Sequence, residues 1–122
     1  MTSREYIDYV RDMLAMIDTL QGFVQGMDYA AFLQDLKTQL AVMRGLEIIG
    51  EASRQMPPDV RERYPEVNWR DMASMRNWLI HQYFGVDQET VWLTVREDLP
   101  RLRPHLARIL ADAEGSETGD SG

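Results

Sequence analysis

Cysteine is absent from the 122 residues, lysine occurs once and histidine twice. Without thiols the chain has no disulfide scaffold, no cysteine-ligated zinc site and no thiolate nucleophile, a composition that suits a reducing compartment. His81 and His105 are the two imidazoles, so proton transfer near neutral pH has few candidate side chains. No apolar run approaches the roughly 18 residues that a membrane helix requires. The opening Met1-Thr2-Ser3-Arg4-Glu5-Tyr6 carries charge where a signal peptide would hold an apolar stretch, and a cytoplasmic location is the expectation. Asn-Gly turns, strand-type alternation and internal repeats are missing too, which speaks against a β architecture.

What is present describes one globular domain. Hydrophobic residues make up 44% and charged residues 27%, too apolar a mixture for a disordered chain. A chain of this length buries roughly two-thirds of its unfolded surface and needs no metal or cross-link to fold. The formal net charge is −7. Four acids, Asp112, Glu114, Glu117 and Asp120, lie in a C-terminal stretch without a base, and leaving them out gives 16 acids against 13 bases. The net charge of −7 argues against a general nucleic-acid coat, which needs an excess of Lys and Arg, although the body without those four acids is only −3. The spacing assigns residues 1–111 to a helical domain and 112–122 to an acidic, flexible tail.

Apolar spacing sets the fold class. Tyr6, Ile7, Val10, Met13, Leu14, Ile17 and Leu20 recur at three- and four-residue steps, the stripe of an amphipathic helix. Gly22 and Gly26 loosen the chain, and Asp28 is placed to cap a second, longer helix running to about Met56, where Pro57-Pro58 ends it. A helical turn is expected around Val60 to Tyr64, followed by an extended Tyr64-Pro65-Glu66-Val67 segment, because a residue before proline avoids the α region. Asn68 and Asp71 resemble a capping box for a third helix toward Tyr83, stopped by Gly85. Asp87 caps a fourth. Asp98 before Pro100 either caps a fifth helix or marks a kink in one long helix. The expectation is an all-α, up-and-down bundle of four to five helices.

One octamer concentrates chemistry. Arg76-Asn77-Trp78-Leu79-Ile80-His81-Gln82-Tyr83 places a guanidinium, an amide, an imidazole and a phenol near a helix end. Such groups suit a phosphodiester, since arginine binds two phosphate oxygens bidentately and histidine exchanges a proton near pH 7. Arg76, four residues, His81, one residue and Tyr83 resemble the signature of the HEPN superfamily, specifically the HepT-like toxins encoded beside MntA-type nucleotidyltransferase antitoxins. The resemblance extends to Arg44-Gly45-Leu46-Glu47-Ile48-Ile49-Gly50-Glu51-Ala52, to Tyr64-Pro65-Glu66-Val67-Asn68-Trp69 and to Tyr83-Phe84-Gly85-Val86-Asp87, in order, across roughly residues 5 to 110.

That resemblance implies an all-helical homodimer acting as a metal-independent endoribonuclease without a cofactor. In such enzymes the RNA 2′-hydroxyl attacks the adjacent phosphate, leaving a 2′,3′-cyclic phosphate and a 5′-hydroxyl. By position, Arg76 would stabilise the pentacoordinate phosphate, His81 would serve as acid or base, and Asn77 would orient substrate or histidine. Tyr83 matches the tyrosine that the partner nucleotidyltransferase adenylylates, adding charge and bulk where RNA would enter.

Each residue also has a plainer reading. Arg76 could form a structural salt bridge with Glu47 or Glu51, Asn77 could hydrogen-bond within the bundle, and Tyr83 could be a core phenol. His105 lacks a matching motif and reads as structural or exposed. Glu47 and Glu51 form an i, i+4 carboxylate pair, yet no Glu-x-x-His motif exists to complete a di-metal site. Helical geometry adds a constraint: Arg76 and His81 lie about 140° apart around an ideal helix, so a shared phosphate calls for side-chain reach, a distorted helix end or a second subunit. A dimer cleft is the expected solution. The competing function is a non-catalytic helical module that binds and regulates a nucleotidyltransferase.

Overall fold

In the computed structural model the backbone is described for residues 3–81 and 87–121, with side chains for 6–79 and 87–115. Seven α-helical segments and one π turn follow in order: α1 (Ser3–Phe23), α2 (Tyr29–Leu33), α3 (Leu36–Ser53), α4 (Pro58–Arg63), α5 (Trp69–His81), α6 (Gln88–Leu93), the π turn Thr94–Asp98, and α7 (Leu99–Ser121). Among the described residues there is no strand. The chain is an all-α bundle, as the apolar spacing predicts. Because α6, the π turn and α7 run on without a break, the described residues form four long helical rods and two short ones.

The stripe on α1 is buried along its length, with Val10, Met13, Ile17 and Leu20 fully enclosed. Gly26 adopts a left-handed φ of 78°, which reverses the chain after α1 at a position where a Cβ would be strained. Asp28 then caps as expected, its Oδ1 accepting from the Ala31 amide at 2.8 Å.

The single long helix expected from Asp28 to about Met56 is two helices. The break falls after Leu33 because Asp35 acts as a second cap, its carboxylate accepting from the Thr38 amide at 3.0 Å and the Thr38 hydroxyl at 2.7 Å. Buried Gln39 closes the gap from the other side. Its Nε2 donates to the carbonyls of Phe32 and Leu33 at 2.8 and 3.1 Å, tying the start of α3 to the end of α2. The break turns Phe32 fully inward, where its ring packs 5.2 Å from that of Trp92. The longer piece, α3, ends at Ser53, slightly before the proline pair, and Pro58 starts α4 at the first helical position.

Tyr64 to Val67 folds as a turn where the proline rule suggests an extended loop. Tyr64 itself has the extended φ expected before proline, but the Val67 amide bonds back to the Tyr64 carbonyl at 3.2 Å. Trp69 Nε1 donates to the same carbonyl at 3.1 Å, so the turn is fixed from both sides. Asn68 caps α5 through its Oδ1 on the Asp71 amide at 3.1 Å. The return contact differs from a strict capping box, since the Asp71 carboxylate accepts from the Asn68 side-chain amide at 2.8 Å.

Pro100 neither ends a helix nor starts a separate one. The ladder widens to a π turn just before it, and the Leu99 amide bonds to the Thr94 carbonyl, five residues back. In an α-helix that amide would serve the Val95 carbonyl. Gln21 of α1 supplies the missing donor, with Nε2 2.6 Å from Val95 O. The widened turn is thus a shared feature of α1 and the α6–α7 arm, and the proline, which offers no N–H, follows it directly.

α3 packs between α1 and α5, and α1 also packs on α7, giving a lateral order of α5, α3, α1 and α7. A bidentate pair from Arg103 to Asp18, at 2.8 and 2.9 Å, joins α7 to α1. α7 carries on past Asp112, where the sequence pattern places the start of a tail: Asp112 accepts from the Tyr64 hydroxyl at 2.6 Å, and Ala113 is buried. No helix among the described residues is long and apolar enough to cross a membrane.

Candidate functional site

Arg76 stands on α5 where that helix lies close against α3. Gly50 makes the approach possible: a Cβ on it would stand 2.9 Å from the Met72 carbonyl oxygen and 3.2 Å from the Arg76 amide nitrogen, both backbone atoms that cannot move aside cheaply. The next residue of α3, Glu51, places Oε2 2.7 Å from Arg76 Nε. Both side chains stay in contact with water, at 38% and 50% exposure. Of the two carboxylates that spacing offers as partners, Glu51 is therefore the one used. Glu47 pairs with Arg44 across 3.5 Å.

Asn77 is exposed on α5 directly after Arg76. Position 81 is the last residue of α5, and the His81 side chain lies outside the described residues. Tyr83 and Gly85 lie outside them as well. Of the four site residues expected from the sequence, Arg76 and Asn77 are those whose side chains are described, and they stand about 100° apart around α5. Met72, Met75 and Leu79 form the buried stripe of that helix. Arg76 flanks the stripe on the α3 side.

The opposite flank of α5 faces a groove. It runs between α5 and the α6–α7 arm and has a volume of about 610 Å³. Ser74 and Trp78 line it from α5, Thr94 and Asp98 from the π turn, and Leu102 and His105 from α7. Trp78 and His105 are half-buried. Sequence spacing shows that Trp78 belongs to an amphipathic helix but gives no sign of the groove, because its second wall is contributed by residues some twenty positions away. Gly50 is different: a glycine inside an apolar helical stripe weakens the helix and so points to a packing reason at that position. Among the described residues no cluster of three His, Cys, Asp or Glu side chains is placed to hold a metal ion.

Comparison with known proteins bears on the same stretch. The family model HepT-like, described as ribonuclease HepT-like, matches residues 13–109. The "Probable ribonuclease HepT" of Thermococcus cleftensis is 48% identical over 106 residues, which cover 87% of this chain and 96% of that protein. The "Putative RNase MJ1216" of Methanocaldococcus jannaschii is 38% identical over 117 residues, 96% of this chain and 97% of the relative. No solved structure matches. With the match spanning α1 to α7 and taking in Gly50, Glu51, Arg76 and position 81, the chain belongs to the HepT-like family of ribonucleases.

Proposed function

We propose that this protein is a metal-independent endoribonuclease and the toxin of a toxin-antitoxin pair, acting as a homodimer. The observation that carries the reading is the half-exposed Arg76, fixed at its Nε by Glu51 on a rim of α5 that the family match covers. Anchored there, the guanidinium would present its Nη1–Nη2 edge to two phosphate oxygens. In the cleavage step a base takes the proton of the RNA 2′-hydroxyl, the 2′-oxygen bonds to phosphorus, the bond from phosphorus to the 5′-oxygen breaks, and that oxygen takes up a proton. Arg76 would stabilise the charge that builds on the phosphoryl oxygens, and His81 would act as acid or base. Asn77, exposed between positions 76 and 81 around the helix, would orient substrate or imidazole.

Arg76 leans toward α3, while position 81 shares the helical register of Ser74 and Trp78, on the groove side. Two copies meeting along α5 would bring the arginine of one near the histidine of the other. A cognate nucleotidyltransferase would restrain the enzyme by transferring AMP from ATP to the Tyr83 hydroxyl, with pyrophosphate leaving. The cell compartment that fits this role is the cytoplasm.

A second reading is favoured by the net charge of −7: a non-catalytic module that docks a nucleotidyltransferase. Incubation of the protein with RNA in excess EDTA, with products identified by mass spectrometry, separates the two. Cleavage to 2′,3′-cyclic phosphates that disappears in Arg76→Ala and His81→Ala is the expected result. A folded wild type that leaves RNA intact would establish the docking module.

A further inference from the structure

We propose that the groove between α5 and the α6–α7 arm holds a nucleobase of the RNA next to the cleaved phosphate and selects a base that carries an exocyclic amine. The inference rests on the ribonuclease reading above and adds a specificity subsite to it. Position comes first. Ser74, Trp78 and position 81 follow one another at i, i+4 and i+7, so they share a face of α5, and position 81 lies three residues, roughly 4.5 Å, beyond Trp78 along the axis. The groove wall therefore runs toward the residue assigned to proton transfer. A nucleotide reacting there would set its base in the groove.

Shape and surface chemistry then define the ligand. The 610 Å³ volume falls among ordinary small-molecule sites. Half-buried Trp78 lines it with Met75 and Leu102, an apolar wall with an aromatic surface on which a base can stack. The polar groups are mostly acceptors. Ser74 Oγ already donates to the Asp71 carbonyl at 2.9 Å, and Thr94 Oγ1 to the Thr90 carbonyl at 2.7 Å, so both hydroxyls offer lone pairs to an occupant. The Asp71 and Asp98 carboxylates add further acceptors. His105 is half-buried on the α7 wall and Arg101 is exposed at its rim, where a flanking ribose-phosphate would pass.

Such a lining repels a phosphate inside the groove and favours a planar ligand with N–H donors on its edge. Adenine and cytosine present an exocyclic amine, and guanine presents an amine beside a ring N–H. Uracil, whose single ring N–H lies between two carbonyls and which has no amine, is the poor match.

Uncleavable 2′-O-methyl tetranucleotides of A, C or U, read by fluorescence anisotropy against the intact protein, test this directly. Binding of the A and C probes about tenfold tighter than the U probe is expected, with the preference lost in Asp98→Asn and overall binding weakened about tenfold in Trp78→Leu. Asp98 is exposed, so its variant keeps the fold even if the tryptophan variant does not. Equal binding of all probes, or a preference that Asp98→Asn leaves intact, overturns the groove assignment while leaving RNA cleavage untouched. Selective binding without cleavage of ordinary RNA keeps the groove and overturns the nuclease reading. Conversion of a dimer to a monomer by Asp98→Arg in sedimentation would show a second copy seated on the groove, and that too overturns the proposal.

Discussion

Gly50 and Arg76 are backbone neighbours: a Cβ on the glycine would come within 3.2 Å of the arginine amide nitrogen and within 2.9 Å of the Met72 carbonyl. The fold thus spends a glycine to bring α3 against α5 at the residue that bears the candidate phosphate-binding group. Gly50→Ala is expected to push the helices apart and to cost on the order of 1–3 kcal/mol in urea unfolding, with RNA cleavage reduced as Arg76 shifts. Gly22, in α1, meets nothing within 4 Å, so Gly22→Ala should stabilise by about 0.5–1 kcal/mol and serves as the control. Equal effects of the two substitutions would remove the steric account.

The half-exposure of the Arg76–Glu51 pair separates stability from chemistry. Partly exposed ion pairs contribute about 0–1 kcal/mol, so Arg76→Ala should barely move the unfolding midpoint. Loss of a charge-stabilising group at a phosphate should lower kcat/KM by roughly 10²-fold or more. Arg76→Lys should recover little, because an ammonium lacks the bidentate fork. A variant that unfolds readily yet cleaves RNA normally would return Arg76 to a purely structural role.

Tyr64 makes the alkaline limb of stability readable. Burial, together with the hydrogen bond to Asp112 and the charge of that carboxylate, pushes the phenol up to about 12. An unfolded tyrosine titrates near 10. The folded state therefore holds the proton more tightly, and the stability this gives is fully present below about pH 10 and is lost between about 10 and 12. Tyr64→Phe should cost about 1–2 kcal/mol at neutral pH and show a flatter decline above pH 10. Urea midpoints across that range, with phenolate absorbance followed in parallel, provide the check. An unchanged alkaline slope in the variant would dissociate Tyr64 from it.

The amphipathic stripes of α1, α3 and α5, the caps at Asp28, Asn68 and Asp87, and the short helix after Pro58 were all legible in the sequence because each depends on residues within a few positions of one another. The split at Asp35 was hidden by a continuous apolar pattern, and its strongest support, Gln39 reaching back to Phe32 and Leu33, is a side-chain choice that periodicity does not register. The π turn was hidden for a different reason. Its stray carbonyl at Val95 is satisfied by Gln21, 74 positions earlier in the chain. At the site, Glu47 and Glu51 were equivalent on spacing, and the register of α3 against α5 at Gly50 decides for Glu51. The groove beside Trp78 has no local signature at all, since it exists only where two helices stop short of touching.

The angular separation of Arg76 and position 81 on α5 makes complementation between copies the sharpest test of the assembly. If each reaction centre takes its arginine from one copy and its histidine from the other, an Arg76→Ala copy paired with a His81→Ala copy contains one intact centre and one centre lacking both groups. Random exchange makes half the dimers mixed, so a mixture of two inactive variants should recover about a quarter of wild-type cleavage. If both groups come from the same copy, the mixture stays inactive, because every centre lacks one of them. Full activity in a verified monomer would eliminate the shared cleft altogether. Recovery is the expected outcome, because Glu51 holds Arg76 on the α3 flank and swinging the guanidinium around α5 would break that 2.7 Å contact.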